Sequence, residues 1–155
     1  MTTPRFDNGV VTSPHFLASE AGRDILKMGG SAVEAAVAVA ANLAVVYPHM
    51  TGLGGDSFWL VRSPDGDLLA IDACGAAGER VTRDLYVEAG MKTIPFRGPL
   101  AANTVAGTIS GWDTVLAASN SKLSLETLLA NAIQHAKNGV EVTQSGAAVA
   151  MSKDA

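Results

Sequence analysis

The chain has 155 residues, 48% of them hydrophobic and 17% charged, which suits a globular protein with room for a sizeable core and not a disordered one. A formal charge of -4 without any cluster of Lys or Arg leaves no electrostatic footprint for nucleic acid or an anionic membrane, so neither partner is expected. The single cysteine, Cys74, cannot form an internal disulfide and suits a reducing compartment.

Residues 1–11 contain no apolar run long enough for a signal-peptide core, which makes the cytoplasm the default location, with the periplasm open if a signal has been removed. Val10 to Thr12 is a short β-type run, and Ser13-Pro14 then predicts a helix start. Leu17, Ala21, Ile25 and Met28 line up as its apolar stripe, with Glu20, Arg23 and Lys27 outside it, and Gly29-Gly30 stops it. Ser31 and Glu34 have capping-box spacing, opening a second helix whose body, Ala35 to Ala41, is apolar all round and must be enclosed. Ala32 to Tyr47 is too short for a bilayer and carries Glu34 and Asn42, so it reads as a buried helix ended by Pro48.

Phe58 to Arg62 and Leu68 to Asp72 are strand-like and flank Ser63-Pro64-Asp65-Gly66-Asp67, which predicts a β-hairpin. From Cys74 to Pro99 the chain is polar and irregular, with one short helix near Arg83 to Ala89, and Asn103 to Val105 reads as a third strand. Helices follow over Ile109 to Ala118 and after Ser124, the latter with Leu125, Leu128, Leu129, Ala132, Ile133 and Ala136 on one face and Asn138-Gly139 as its end. Gln144 to Ala155 begins another Ala-rich helix without a stop signal, as if the chain ended in mid-domain. Residues 1–155 are therefore read as a single incomplete domain.

His15, His49 and His135 are far apart in sequence and Cys74 has no nearby His or Cys, so no metal is expected, and no cofactor either. Gly52-x-Gly54-Gly55 lies between a helix and a strand, the wrong order for a nucleotide loop. Two roles stay open for it: a tight, well-packed turn, or the wall of a substrate site. Cys74 reads as an inert buried thiol in preference to a nucleophile, and His49 as a cap of the helix end in preference to a catalytic base. Arg97 is either an exposed loop arginine or a carboxylate clamp. Thr2, exposed if Met1 is removed, is an N-terminal nucleophile only on paper, because nothing around it seats it in a core.

Ser13 to Ser19, Ile25 to Ala38, Pro48-His49-x-x-Gly52-Leu53-Gly54-Gly55 and Val105 to Trp112, in that order, resemble the opening of the gamma-glutamyltranspeptidase family. The resemblance implies an α+β architecture, the four-layer αββα N-terminal-nucleophile hydrolase fold, of which this chain supplies only a part. It implies a precursor that cuts itself, a catalytic threonine at the start of a small partner subunit, and therefore no catalytic residue in this chain. The departure lies at Asp72 to Gly78: glutamyl-processing relatives carry an arginine that holds the substrate α-carboxylate, and Cys74 stands in its place. The neutral Asp-x-x-Gly-Ala-Ala-Gly segment is more similar to the oxamate amidohydrolase branch. Cys74, Gly75 and Arg97 are accordingly the candidate substrate-binding residues, for a small carboxylate-bearing amide. The alternatives are γ-glutamyl or glutathione hydrolysis and transfer, an acylase of bulkier amides, and a non-catalytic fragment or binding module.

Overall fold

The computed structural model describes residues 3 and 5–152. Thr2 and the end of the last predicted helix, residues 153–155, lie outside the described residues. The chain forms two compact units, Met1–Gly52 with Val115–Ala155, and Leu53–Thr114.

In the first unit, α1 (Phe16–Lys27) packs on α2 (Ala32–Val46), and α2 on α5 (Leu125–Asn138). The buried face of α1 is Ala18, Ala21, Gly22 and Ile25, so the stripe is turned from the one expected. Met28 lies at the helix end, 58% exposed. Small residues win the inner position because the helices approach closely: a methyl at Gly22 would come within 2.6 Å of Val39 Cγ2. The cap also differs. His15 Nδ1 accepts the Leu17 amide at 3.2 Å, while Ser13 spends its hydroxyl on the His15 carbonyl at 2.8 Å. Val10 to Thr12 forms no ladder; with no strand beside it among the described residues, the run is pinned through Val11, whose Cγ1 faces Gly22.

The capping box of α2 forms as expected, with Ser31 N donating to Glu34 Oε2 at 2.6 Å and Glu34 N donating to Ser31 Oγ at 3.1 Å. The other oxygen, Glu34 Oε1, reaches across to the loop before α5 and accepts from Ser121 Oγ (2.7 Å), Lys122 N (2.7 Å) and Leu123 N (2.8 Å). One carboxylate thus caps one helix and ties down the approach to another. Deeper in, Asn42 donates to the Ala38 carbonyl and meets His135 Nδ1 at 2.8 Å. Along α5, Leu128 and Ala132 are buried, whereas Leu125 and Ile133, expected on the same face, are 45% and 43% exposed. α6 spans Gln144–Met151.

In the second unit, β1 (Ser57–Arg62) and β2 (Leu68–Ala73) pair antiparallel from Ser57↔Ala73 to Arg62↔Leu68. The turn closes through Ser63 N to the Asp67 carbonyl, with Gly66 at φ 98, a conformation that favours glycine. Alternation gives the hairpin two faces. Trp59 and Ile71 are half-buried on one; Phe58, Leu60 and Leu68 on the other are at least 70% exposed. α3 covers Arg83–Glu88, and a 3-10 turn, Pro99–Ala101, is anchored by Tyr86, whose hydroxyl donates to the Leu100 carbonyl. Asn103 to Val105 is not a strand but a single bridge, Ala77↔Thr104, because the chain turns at Gly107 into α4 (Thr108–Ala118) before a ladder can extend.

Candidate functional site

The hairpin stem brings three separated stretches to one place within the second unit: Gly55-Asp56 ahead of β1, Cys74-Gly75 after β2, and Val105 to Thr108 at the start of α4. The first and third join at the Gly55 carbonyl, which accepts from Gly107 N (2.9 Å), Thr108 N (2.9 Å) and Thr108 Oγ1 (2.7 Å), while the second is held by Cys74 Sγ donating to Asp56 Oδ2. The first amides of α4, which have no partner within the helix, are satisfied there. Two glycines permit the approach. A methyl at Gly75 would sit 1.6 Å from the Val105 oxygen, and one at Gly107 2.0 Å from the Ala73 oxygen, so any side chain displaces backbone. Gly111, further along α4, likewise lies flush against Ser57 and Ala73.

Gly52, Gly54 and Gly55 behave differently. None has a positive φ, and a methyl at each meets open space among the described residues. Neither turn geometry nor crowding by this chain calls for glycine there. Of the two roles left open by the sequence, the well-packed turn loses its physical reason, and access by a ligand or another backbone keeps one.

Cys74 is exposed, contrary to the expectation of a buried thiol. Its Sγ donates to Asp56 Oδ2 at 3.3 Å, and its backbone amide donates to Asp72 Oδ1 at 2.9 Å. The hydrogen bond to Asp56, then desolvation and the charges of Asp56 and Asp72, push the thiol pKa up. A thiol held protonated by carboxylates is a hydrogen-bond donor and a poor nucleophile, so this corner can recognise a ligand but is ill-suited to attack one. Asp56 was not singled out by sequence reading. A carboxylate placed directly after a glycine pair was the available signal.

Cys74 and Gly75 thus belong to one cluster with Asp56, Gly107 and Thr108. Arg97 is not joined to it by any hydrogen bond or ion pair; it lies 5.6 Å from the centre of the Phe96 ring and the ion pairs among the described residues are those of Arg23. His49, in the first unit, packs its ring against Tyr47 at 4.3 Å and caps no carbonyl; its Nδ1 is buried without a partner among the described residues. The helix end is closed instead by the amides of Met50 and Thr51 donating to the Tyr47 carbonyl. Among the described residues no cluster of His, Cys, Asp and Glu could hold a metal ion, and no helix is long and apolar enough to cross a membrane.

Residues 18–155 match the family model described as gamma-glutamyltranspeptidase. The chain is 53% identical over 150 residues to an oxamate amidohydrolase proenzyme of Klebsiella pneumoniae, covering 94% of this chain and 28% of that protein. It is 50% identical over 135 residues to a glutathione hydrolase-like proenzyme of Bacillus subtilis, covering 86% of this chain and 25% of that one. The chain therefore spans about a quarter of the length of these curated relatives. In structure it is similar to the gamma-glutamyltranspeptidase of Helicobacter pylori, with a TM-score of 0.85 at 31% identity over 96% of this chain and 43% of that one. The likeness supports the N-terminal-nucleophile hydrolase fold, of which this chain supplies one hairpin and its flanking helices.

Proposed function

Because the chain belongs to the gamma-glutamyltranspeptidase family, we propose that it is the front part of the large subunit of an autoprocessed amidohydrolase that cleaves a small, oxamate-like amide bearing a carboxylate. The attacking group is the N-terminal threonine of a small subunit cut from the same precursor. This chain contributes scaffold and one wall of the substrate pocket, at Cys74, Gly75 and Arg97.

The observation that carries the reading is the Cys74 thiol hydrogen-bonded to Asp56 where glutamyl-processing relatives carry an arginine. A γ-glutamyl α-carboxylate placed directly at Cys74 meets two carboxylates, Asp56 and Asp72, and no guanidinium is hydrogen-bonded to that residue among the described residues. Losing such a charge-assisted contact costs roughly 1.5–3 kcal/mol before any repulsion is counted. Arg97, which forms no ion pair among the described residues, is the cation assigned to the carboxylate of the smaller substrate. Its guanidinium can grip both oxygens. The 53% identity to an oxamate amidohydrolase proenzyme supports the same substrate class. The need for a partner is supported by the outer face of the hairpin, where Phe58, Leu60 and Leu68 stand in solvent.

Glutathione hydrolysis is the second reading, supported by the 50% identity to the Bacillus subtilis glutathione hydrolase-like proenzyme. Intact mass and N-terminal sequencing of the full-length protein test the first step: a second polypeptide beginning with threonine is expected, and its absence turns the reading to a non-catalytic module. The processed enzyme is then offered oxamate and γ-glutamyl-p-nitroanilide. Release of ammonia from oxamate with little p-nitroaniline supports the proposal; the reverse supports the second reading. C74R is expected to shift the ratio of the two kcat/KM values toward the γ-glutamyl substrate by roughly 10- to 150-fold, the worth of one charged hydrogen bond.

A further inference from the structure

We propose that the hollow formed by α3 and the segment after it binds a small organic anion with an apolar body. The cavity, about 630 Å³, lies wholly within the second unit, and none of Cys74, Gly75 and Arg97 lines it. Its volume falls in the range of small-molecule sites, roughly 300–1,000 Å³.

The lining divides by chemistry. Val81, Tyr86, Val87, Met91 and Ile94 form an apolar bed. Arg83 and Lys92 bring two cations to it, and among the described residues no carboxylate lines the hollow. The ion pairs among the described residues are those of Arg23, so both cations reach the cavity without an acidic partner. Val87 and Ile94 are 57% and 52% exposed in a wall that is otherwise held in place by Tyr86, buried and tethered to the Leu100 carbonyl at 3.1 Å. Exposed aliphatic side chains beside unpaired cations, on a firm base, fit a ligand that carries both a hydrocarbon body and a carboxylate, sulfonate or phosphate head. A neutral apolar ligand would leave the cations unused, and a bare inorganic anion would leave the aliphatic bed wet.

The test uses octanoate as probe, with octanol as its uncharged counterpart, against the full-length processed protein in isothermal titration calorimetry at low salt. Octanoate is expected to bind saturably and at least ~10-fold more tightly than octanol, with R83Q/K92Q weakening octanoate by about tenfold. K27Q, a change of an exposed lysine in the first unit, is expected to leave the affinity unchanged. The proposal is overturned if octanoate does not saturate, as it would not were the hollow filled by the rest of the precursor. It is equally overturned if octanol binds as well, or if K27Q weakens binding as much as the double variant.

Discussion

Replacing Glu34 with Gln tests whether one buried carboxylate governs the joint between α2 and the loop before α5. Burial by itself pushes this carboxyl pKa up, but the amide of Leu123, then the Ser31 amide, the Ser121 hydroxyl and the Lys122 amide outweigh it and hold the value at about 2, against 4.5 for a free side chain. That difference corresponds to about 3 kcal/mol of native-state stabilisation. Because the folded pKa is the lower one, the stabilisation is fully present above pH ~4.5 and fades as pH falls toward 2. Gln keeps one acceptor oxygen, yet it removes the charge and turns an NH2 toward donors. Urea unfolding of the full-length protein should therefore show E34Q about 3 kcal/mol less stable at pH 7, with the gap to the parent narrowing by roughly 2 kcal/mol at pH 3. The Lys122 and Leu123 amides should lose hydrogen-exchange protection in step. A gap of equal size at both pH values, or amides that stay protected in E34Q, would refute the argument.

Other substitutions separate the glycines by cause. G75A or G107A forces backbone apart and should cost about 3 kcal/mol, the upper end of the overpacking range, in urea unfolding. G54A, with open space and an ordinary φ, should change stability by less than ~0.5 kcal/mol while lowering amide hydrolysis, a split that a purely structural glycine would not give. The Cys74 thiol, raised by Asp56, should react slowly with iodoacetamide at pH 7 and faster as pH rises; D56N should speed the pH 7 reaction, and an unchanged rate would contradict the hydrogen bond. His15 has its pKa lowered, first by burial and then by His135. The folded state therefore takes up the proton less readily than the unfolded chain, and stability should fall as pH drops below ~6.5. H15N, which keeps a capping side chain, should flatten that slope in the urea midpoint.

What the residues disclose by themselves is what they settle locally. Ser31 and Glu34 are three apart and cap each other whatever surrounds them; Ser63 to Asp67 makes its own turn. Both were legible. Val10 to Thr12 and Asn103 to Val105 have strand composition, but a strand exists only beside a partner: the first run has none among the described residues, and the second is cut short by the turn into α4 after a single bridge to Ala77, 27 residues earlier. The stripe of α1 was misplaced for a similar reason: periodicity favours the large Leu17 and Met28, while close contact with α2 selects Ala18 and Gly22. Least legible was the cluster around Cys74. Its thiol meets Asp56, 18 residues earlier, and no local pattern links the two. The missing arginine was visible only against the family resemblance, and the acidic company kept by its replacement only in three dimensions.

The bare outer side of the hairpin bears on how such a chain can be made in a cell. Phe58, Leu60 and Leu68 form a sticky strip beside two strand edges that pair with no further strand among the described residues, the arrangement that recruits other chains into aggregates. A covering segment carried on the same polypeptide acts at a millimolar effective concentration, roughly, and reaches the strip before strangers do. A separately translated cover would have to win that race by diffusion. Synthesis as one piece and cutting afterwards would thus act as a built-in chaperone for this surface, and supplying the two halves from separate messages should yield inclusion bodies unless both are abundant.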